Sequence, residues 1–168
     1  MLKTPLLYGV ITGAIAAGWS FLLYLLGWDV SPFLRNFGYF TVVILAAGIY
    51  LGIQAKREGN KKKFITYTDA FRAGFLISLI SGIILGAYAY LYISQINPGF
   101  VEIIIREKTE ILTQLGISQE KIMSHQLWLE RKYSPLGQFI SNNGGFVLLG
   151  SILSAIFSIF LYEKELEE

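Results

Sequence analysis

Four stretches of this 168-residue chain carry no Asp, Glu, Lys, Arg or His: Thr4–Trp28, Asn36–Ala55, Ala73–Val101 and Tyr133–Tyr162. A bilayer core about 30 Å thick needs roughly 20 apolar residues at about 1.5 Å of rise each, and every run is long enough to cross one. Only 15% of the residues are charged, against about 25% in an average soluble domain. Charge squeezed into the gaps between long apolar runs excludes an ordinary soluble globule, a disordered chain and a fibrous repeat. The expectation is an all-α integral membrane protein forming one domain, with four transmembrane helices at about 5–26, 37–55, 70–96 and 135–162.

The absence of cysteine excludes a disulfide framework, CxxC redox chemistry and thiolate zinc sites. A net charge of +2 gives no reason to expect nucleic acid as a partner. Lys3, an apolar stretch and Ala14-Ile15-Ala16 resemble a secretory signal with its cleavage site, but the apolar run continues to Leu26, past an ordinary signal core. It is read as a span.

Local signals punctuate the chain. Pro5 falls in the first turn of the first span, where its missing N–H does no harm. Gly27-Trp28-Asp29 and Ser31-Pro32 mark a tight turn. Thr66 with Asp69 three residues on reads as a capping box in which Asp stands in for Glu, so the third helix starts near Tyr67. Asn97-Pro98-Gly99 stops it, and Ser134-Pro135 opens the last span. Asn143-Gly144 permits a break in that last helix, but the unbroken form is expected.

Residues 99–133 read as an amphipathic helical hairpin between the third and fourth spans. Phe100, Ile103, Ile104, Ile111, Leu112 and Leu115 recur at helical spacing. Gly116 followed by Ile117 has the pattern of a Schellman stop, and Ser118 can cap a second helix with Ile122, Gln126, Leu129 and Tyr133 on one side. The five glutamates of the hairpin, Glu102, Glu107, Glu110, Glu120 and Glu130, read as solvated faces, and His125 as an exposed helical histidine.

Orientation follows from Lys and Arg near the span ends. Residues 56–72 hold six of them and residues 28–36 hold one. This makes the 56–72 loop cytoplasmic, with both termini on the same side and the hairpin extracytoplasmic. Lys61–Lys63 are assigned to topology and anionic headgroups rather than to nucleic acid. Trp19, Tyr24, Trp28, Tyr88, Tyr90 and Tyr92 then gather toward the outer ends, as an aromatic belt would.

Two constellations stand out inside the spans. Small residues recur every fourth position: Gly9 and Gly13; Gly48 and Gly52; Ala70, Gly74, Ser78, Gly82 and Gly86; Gly150, Ser154 and Ser158. Such stripes let helix backbones approach closely in lipid. They are read as bundle packing, with a homo-oligomer face as the alternative. Gln138, Ser141, Asn142 and Gly145 share one face of the last helix. About 20 residues back from Tyr162 reaches Asn143, which puts this polar face at the outer boundary. A wetted helix end and a small polar pocket at Gln138, Ser141 and Asn142 are both open. No span carries a carboxylate, a paired aspartate or a serine–histidine set, so coupled transport and intramembrane proteolysis lack their groups. No catalytic residue, cofactor or metal ligand is expected; the expected partners are the lipid bilayer and a second copy or another membrane protein.

Phe64-Ile65-Thr66-Tyr67, Ala70-Phe71-Arg72-Ala73-Gly74-Phe75, the tyrosines before Ile96-Asn97-Pro98-Gly99-Phe100, and Gly150 together resemble domain-of-unknown-function family 4199 over about residues 6–163. The resemblance implies a small four-span bacterial inner-membrane protein, chiefly of Bacteroidetes, with no assigned activity and no catalytic residues to carry over. Two function classes follow: a non-enzymatic scaffold presenting the hairpin, and an uncoupled channel, carrier or lipid-binding protein using the polar cleft.

Overall fold

The computed structural model describes residues 3–60 and 64–162, and the helix boundaries follow the local capping chemistry. The order is α1 (Lys3–Leu25), a 3₁₀ turn (Leu34–Tyr39), α2 (Phe40–Glu58), α3 (Tyr67–Leu91), a π turn (Tyr92–Ile96), α4 (Phe100–Gln114), α5 (Gln119–Lys132) and α6 (Pro135–Leu161). Lys61–Lys63 and the acidic tail from Glu163 lie outside the described residues.

Thr66 Oγ1 accepts from the Asp69 backbone N–H at 3.2 Å, and its own hydroxyl donates to Asp69 Oδ2 at 3.1 Å. Asp, shorter than Glu, takes the cap's hydroxyl. Ser134 caps α6 through the Gly137 N–H at 3.0 Å, with Pro135 in the first turn. Gly27 and Gly116 both take positive φ, and each closes a Schellman stop: Trp28 N–H to Leu23 O at 2.9 Å, and Ile117 N–H to Leu112 O at 3.1 Å. Ser118 stands at the N-cap of α5, but its side chain makes no capping bond.

Two spans differ from their expected form. The second enters through the 3₁₀ turn, where the Thr41 hydroxyl donates to Gly38 O and Trp19 Nε1 donates to Phe37 O. It runs past Ala55 because Lys56 and Arg57 suit the negative end of the helix dipole and Lys56 Nζ donates to Asp69 O at 2.9 Å. The third widens after Leu91 into the π turn, where the Asn97 N–H reaches Tyr92 O, five residues back, at 2.7 Å. Helix α6 is unbroken through Asn143-Gly144.

Among the described residues, four helices are long and apolar enough to cross a membrane: Lys3–Leu25, Leu34–Glu58, Tyr67–Ile96 and Pro135–Leu161. Their outward positions are apolar, among them Leu6, Ile15, Leu51, Ile83, Leu148 and Phe160. Helix α3 is the hub, packing against α6 along most of its length and against α1 and α2. Glycines make these approaches possible. A Cβ on Gly9 would lie 2.8 Å from Ile80 Cβ, and one on Gly13 2.8 Å from Ile84 Cβ, so α1 rides close on α3. Gly48 faces Thr12 on α1, and Gly52 faces Ile77 and Tyr8.

The α3–α6 seam is reciprocal: Gly74 faces Ser154, and Gly150 faces Ser78. Further along, Gly82 faces Asn143 and Phe146, and Gly86 faces Phe139. The hydroxyls of this seam are satisfied within their own helices, Ser78 to Phe75 O at 2.7 Å and Ser154 to Gly150 O at 2.5 Å, whereas buried Ser158 has no partner among the described residues. Their neighbours Leu45, Ile49, Ile53 and Ile77 complete an apolar core.

Candidate functional site

At the hairpin end the bundle opens into a cleft of about 400 Å³. Each wall comes from a different element. Helix α3 and its π turn contribute Leu85, Tyr88, Ala89, Tyr92 and Ile93, a single face at helical spacing. The first two turns of α6 contribute Gln138 and Asn142. The loop after α1 supplies Asp29, the 3₁₀ turn supplies Arg35, and Phe100 and Tyr133 close the side under the hairpin.

The Schellman stop at Gly27 turns the chain back so that Asp29 meets the π turn. There Asp29 Oδ2 accepts the Tyr92 hydroxyl and, at 3.3 Å, the Asn97 side-chain amide. Asn97 Nδ2 also donates to the Tyr92 hydroxyl oxygen at 2.9 Å. The π turn's extra residue per turn is what brings Tyr92 and Asn97 together on this carboxylate. The rings form a chain of tilted and edge contacts: Tyr88–Tyr92 at 6.0 Å, Tyr92–Phe100 at 5.3 Å and Phe100–Tyr133 at 6.2 Å between centroids. Tyr88 has a buried hydroxyl with no hydrogen-bond partner among the described residues.

Arg35 is already engaged. Its two terminal nitrogens grip both Glu107 oxygens at 3.1 Å, a bidentate pair that ties α4 to the 3₁₀ turn. The hydrogen bonds from Arg35 hold the Glu107 carboxyl below the usual carboxylate range, outweighing the opposing effect of burial. Phe100 and Ile104, the latter 1% exposed, pack with Tyr92 and Ile93 beneath the same helix.

Several sequence expectations land differently. Gln138 and Asn142 line the cleft, with Asn142 Nδ2 donating to Gln138 O at 2.9 Å. Ser141 is exposed and outside the lining, because its position turns away from α3. The aromatic belt is partly undone: Tyr88 and Tyr92 turn into the cleft and Tyr24 packs edge-on against Tyr92. Trp19 instead lies against Phe40, and Trp28 against Phe37. Glu107 is paired, whereas Glu102, Glu110, Glu120 and Glu130 are exposed. His125 is half-buried, stacked on Trp128 at 5.4 Å. Asp29, Arg35 and Glu107 are the site residues that sequence reading missed. Their only trace was an acid and a base together in the short first loop; the partners lie 63 to 72 residues away.

The apolar face of the hairpin divides. Phe100 and Ile104 are buried, while Ile111 and Leu115 are exposed, Leu115 by 69%. Between the two helices, Ile122 and Leu129 are buried and Gln126 donates to Thr109 Oγ1 at 2.8 Å.

A family model described as "Protein of unknown function (DUF4199)" matches residues 7–162. No curated protein and no solved structure matches the chain.

Proposed function

The chain belongs to the DUF4199 family of proteins of unknown function, and on that footing we propose that it is a membrane-embedded binding protein rather than an enzyme. Its ligand is a small or amphiphilic molecule held in the cleft at the hairpin end. The observation that carries this is the cleft itself: about 400 Å³, with an apolar α3 wall and the polar groups of Asp29, Tyr88, Gln138 and Asn142 converging on one space. Apolar pockets with a few convergent polar groups are the usual form of a ligand site. The basic 56–72 segment gives the topology, with that loop and both termini cytoplasmic and the hairpin and cleft on the outer face of a bacterial inner membrane.

Native mass spectrometry of the chain released from its own membrane tests the binding reading. An adduct of defined mass should accompany the wild type and disappear when Ala89→Phe fills the cleft; equal adducts in both would sink it. Single-cysteine labelling tests the topology, since the chain has no native cysteine. Ser118→Cys should react with an impermeant reagent added outside, and Asn60→Cys should not.

A second reading is a scaffold that docks another membrane protein or a second copy of this chain. It is favoured by the hairpin's outer surface, where Leu115, Met123, Leu127 and Trp128 are all more than half exposed. Loss of partner crosslinks in a Leu127→Glu variant with an intact bundle would support it.

A further inference from the structure

The charges around the cleft do not cancel. Among the described residues Arg35 is the one cation in the lining, and both of its terminal nitrogens are spent on Glu107. Asp29 is therefore left without a cationic partner among the described residues. Two neutral donors, the Tyr92 hydroxyl and the Asn97 amide, hold its Oδ2 and orient the group. Its Oδ1 accepts no hydrogen bond among the described residues. Neutral donors spread a carboxylate's charge but do not neutralise it, and Asp29, half-buried at the cleft, keeps its negative charge available to a positive partner.

Beside this carboxylate stand the rings of Tyr88, Tyr92 and Phe100, linked at 6.0 and 5.3 Å between centroids. Aromatic faces around a cation, with a carboxylate as counter-charge, are the chemistry that recognises ammonium groups. The neighbourhood already hosts one such contact: Lys132 Nζ lies 4.7 Å from the Trp128 ring centre and 5.7 Å from that of Tyr133. Leu85, Ala89 and Ile93 continue the wall as apolar surface. An anionic ligand would have to displace Glu107 from a bidentate pair, and a lone carboxylate offers too few oxygens for a divalent cation.

We propose that the cleft binds an organic ammonium group, with Asp29 as its counter-charge, the Tyr88, Tyr92 and Phe100 rings around it, and its apolar body along α3. This rests on the cleft reading above and adds the ligand's chemical class. The ammonium has two sources: the headgroup of an aminophospholipid in the bilayer, and a free alkylamine from the aqueous side.

The test uses the full chain in nanodiscs of digalactosyldiacylglycerol, a lipid with neither amine nor net charge, with unfolding followed by tryptophan fluorescence against empty discs. Decylammonium, decyl sulfate and decanol are titrated below the concentrations at which they disrupt the disc. Decylammonium alone should raise the unfolding temperature saturably. Asp29→Asn, which keeps the size of the side chain, should weaken the apparent affinity about tenfold or more, and Tyr88→Leu severalfold. Equal shifts from all three amphiphiles, or a preference for the sulfate, overturn the proposal; the comparison needs only wild-type protein, so it stands even where Asp29→Asn fails to fold. A shift from the sulfate or alcohol that Ala89→Phe abolishes leaves the cleft reading standing and removes the ammonium. No saturable shift from any amphiphile overturns both. With decylammonium binding established, adding phosphatidylethanolamine to the disc separates the sources. Stabilisation and competition with decylammonium identify the lipid headgroup; neither effect, with binding of butylammonium from solution, identifies the free amine.

Discussion

Helices α3 and α6 meet in two ways along one length. From Gly74 to Gly86 they close to backbone distance, Gly against Ser and Gly against Phe139, and leave no room for a ligand. Beside the last of these contacts, the neighbouring face of α3 carries Leu85, Tyr88 and Tyr92, and α6 offers Gln138 and Asn142; here they border a cleft of about 400 Å³. The difference lies in side-chain size and polarity at matched positions. Small residues let two helices gain close packing where apolar attraction alone would not hold them in lipid. On the face beside that contact, larger rings and amides stand opposite α1, its following loop and the 3₁₀ turn, and border a polar space. Close packing resides in the seam, and open space beside it.

The largest effect should come from violating the seam. A Cβ on Gly150 would run into Ser78, so Gly150→Leu should cost toward the upper end of about 1–3 kcal/mol by overpacking. Thermal unfolding in detergent measures it, with Gly18→Leu as control, because nothing lies within 4 Å of that position. Gly82→Ala should be milder than Gly82→Leu: its Cβ would lie 2.8 Å from Asn143 Oδ1, an atom that can rotate away, and 3.1 Å from both the Asn143 carbonyl oxygen and Phe146 Cβ, which must give by a few tenths of an ångström. Equal melting of Gly150→Leu and Gly18→Leu would break the contrast between seam and open surface.

The hairpin root closes the cleft, so loosening it should act locally. Ile104→Glu with Leu112→Glu should speed proteolysis near Gly116 about tenfold, equivalent to about 1.4 kcal/mol of lost docking, while the bundle's unfolding temperature barely moves. A matching fall in bundle stability would mean that root and seam are one cooperative unit.

The Arg35–Glu107 pair should contribute less. Both side chains keep a fifth to a quarter of their surface in water, so Glu107→Gln is expected to cost about 0.5–1 kcal/mol by denaturant titration. Because the folded carboxyl titrates below its unfolded value, this stabilisation is present at neutral pH, and it is lost as the pH falls through the folded value. Glu107→Gln should flatten that acid limb. An unchanged limb would assign the acid sensitivity to other carboxylates.

The smallest effect belongs to the hairpin tip. Leu115→Gln and Met123→Gln should change stability by no more than about 0.5 kcal/mol, since both side chains already lie exposed. A larger loss in native membranes than in detergent would point to a covering surface supplied by lipid or by a partner.

Much of the fold was legible because the decisive signals are local. Thr66, Gly116 and the Ser134-Pro135 pair cap or stop helices through bonds within a few residues, and the structure places those boundaries where the residues indicated. The α-to-π change at Tyr92 was not legible, since Tyr-Ile-Ser-Gln-Ile carries no pattern that separates the two windings. Of the cleft, Gln138 and Asn142 could be named because polar side chains are conspicuous in an apolar helix. Asp29 and Glu107 looked like ordinary loop and surface carboxylates until the chain brought Tyr92 and Arg35 to them.

The sequence by itself determined the number of apolar helices, their approximate ends and the stripes of small residues, because hydropathy, capping and residue size act at or near each position. Only the tertiary structure decided which stripes meet, that Tyr88 and Tyr92 turn inward while Tyr90 between them stays exposed, and that the carboxylate of the first loop is held by tyrosine and amide while the arginine six residues on is taken by the hairpin. Those outcomes depend on contacts 63 to 72 residues apart, set by how the whole bundle packs, and no local pattern encodes them.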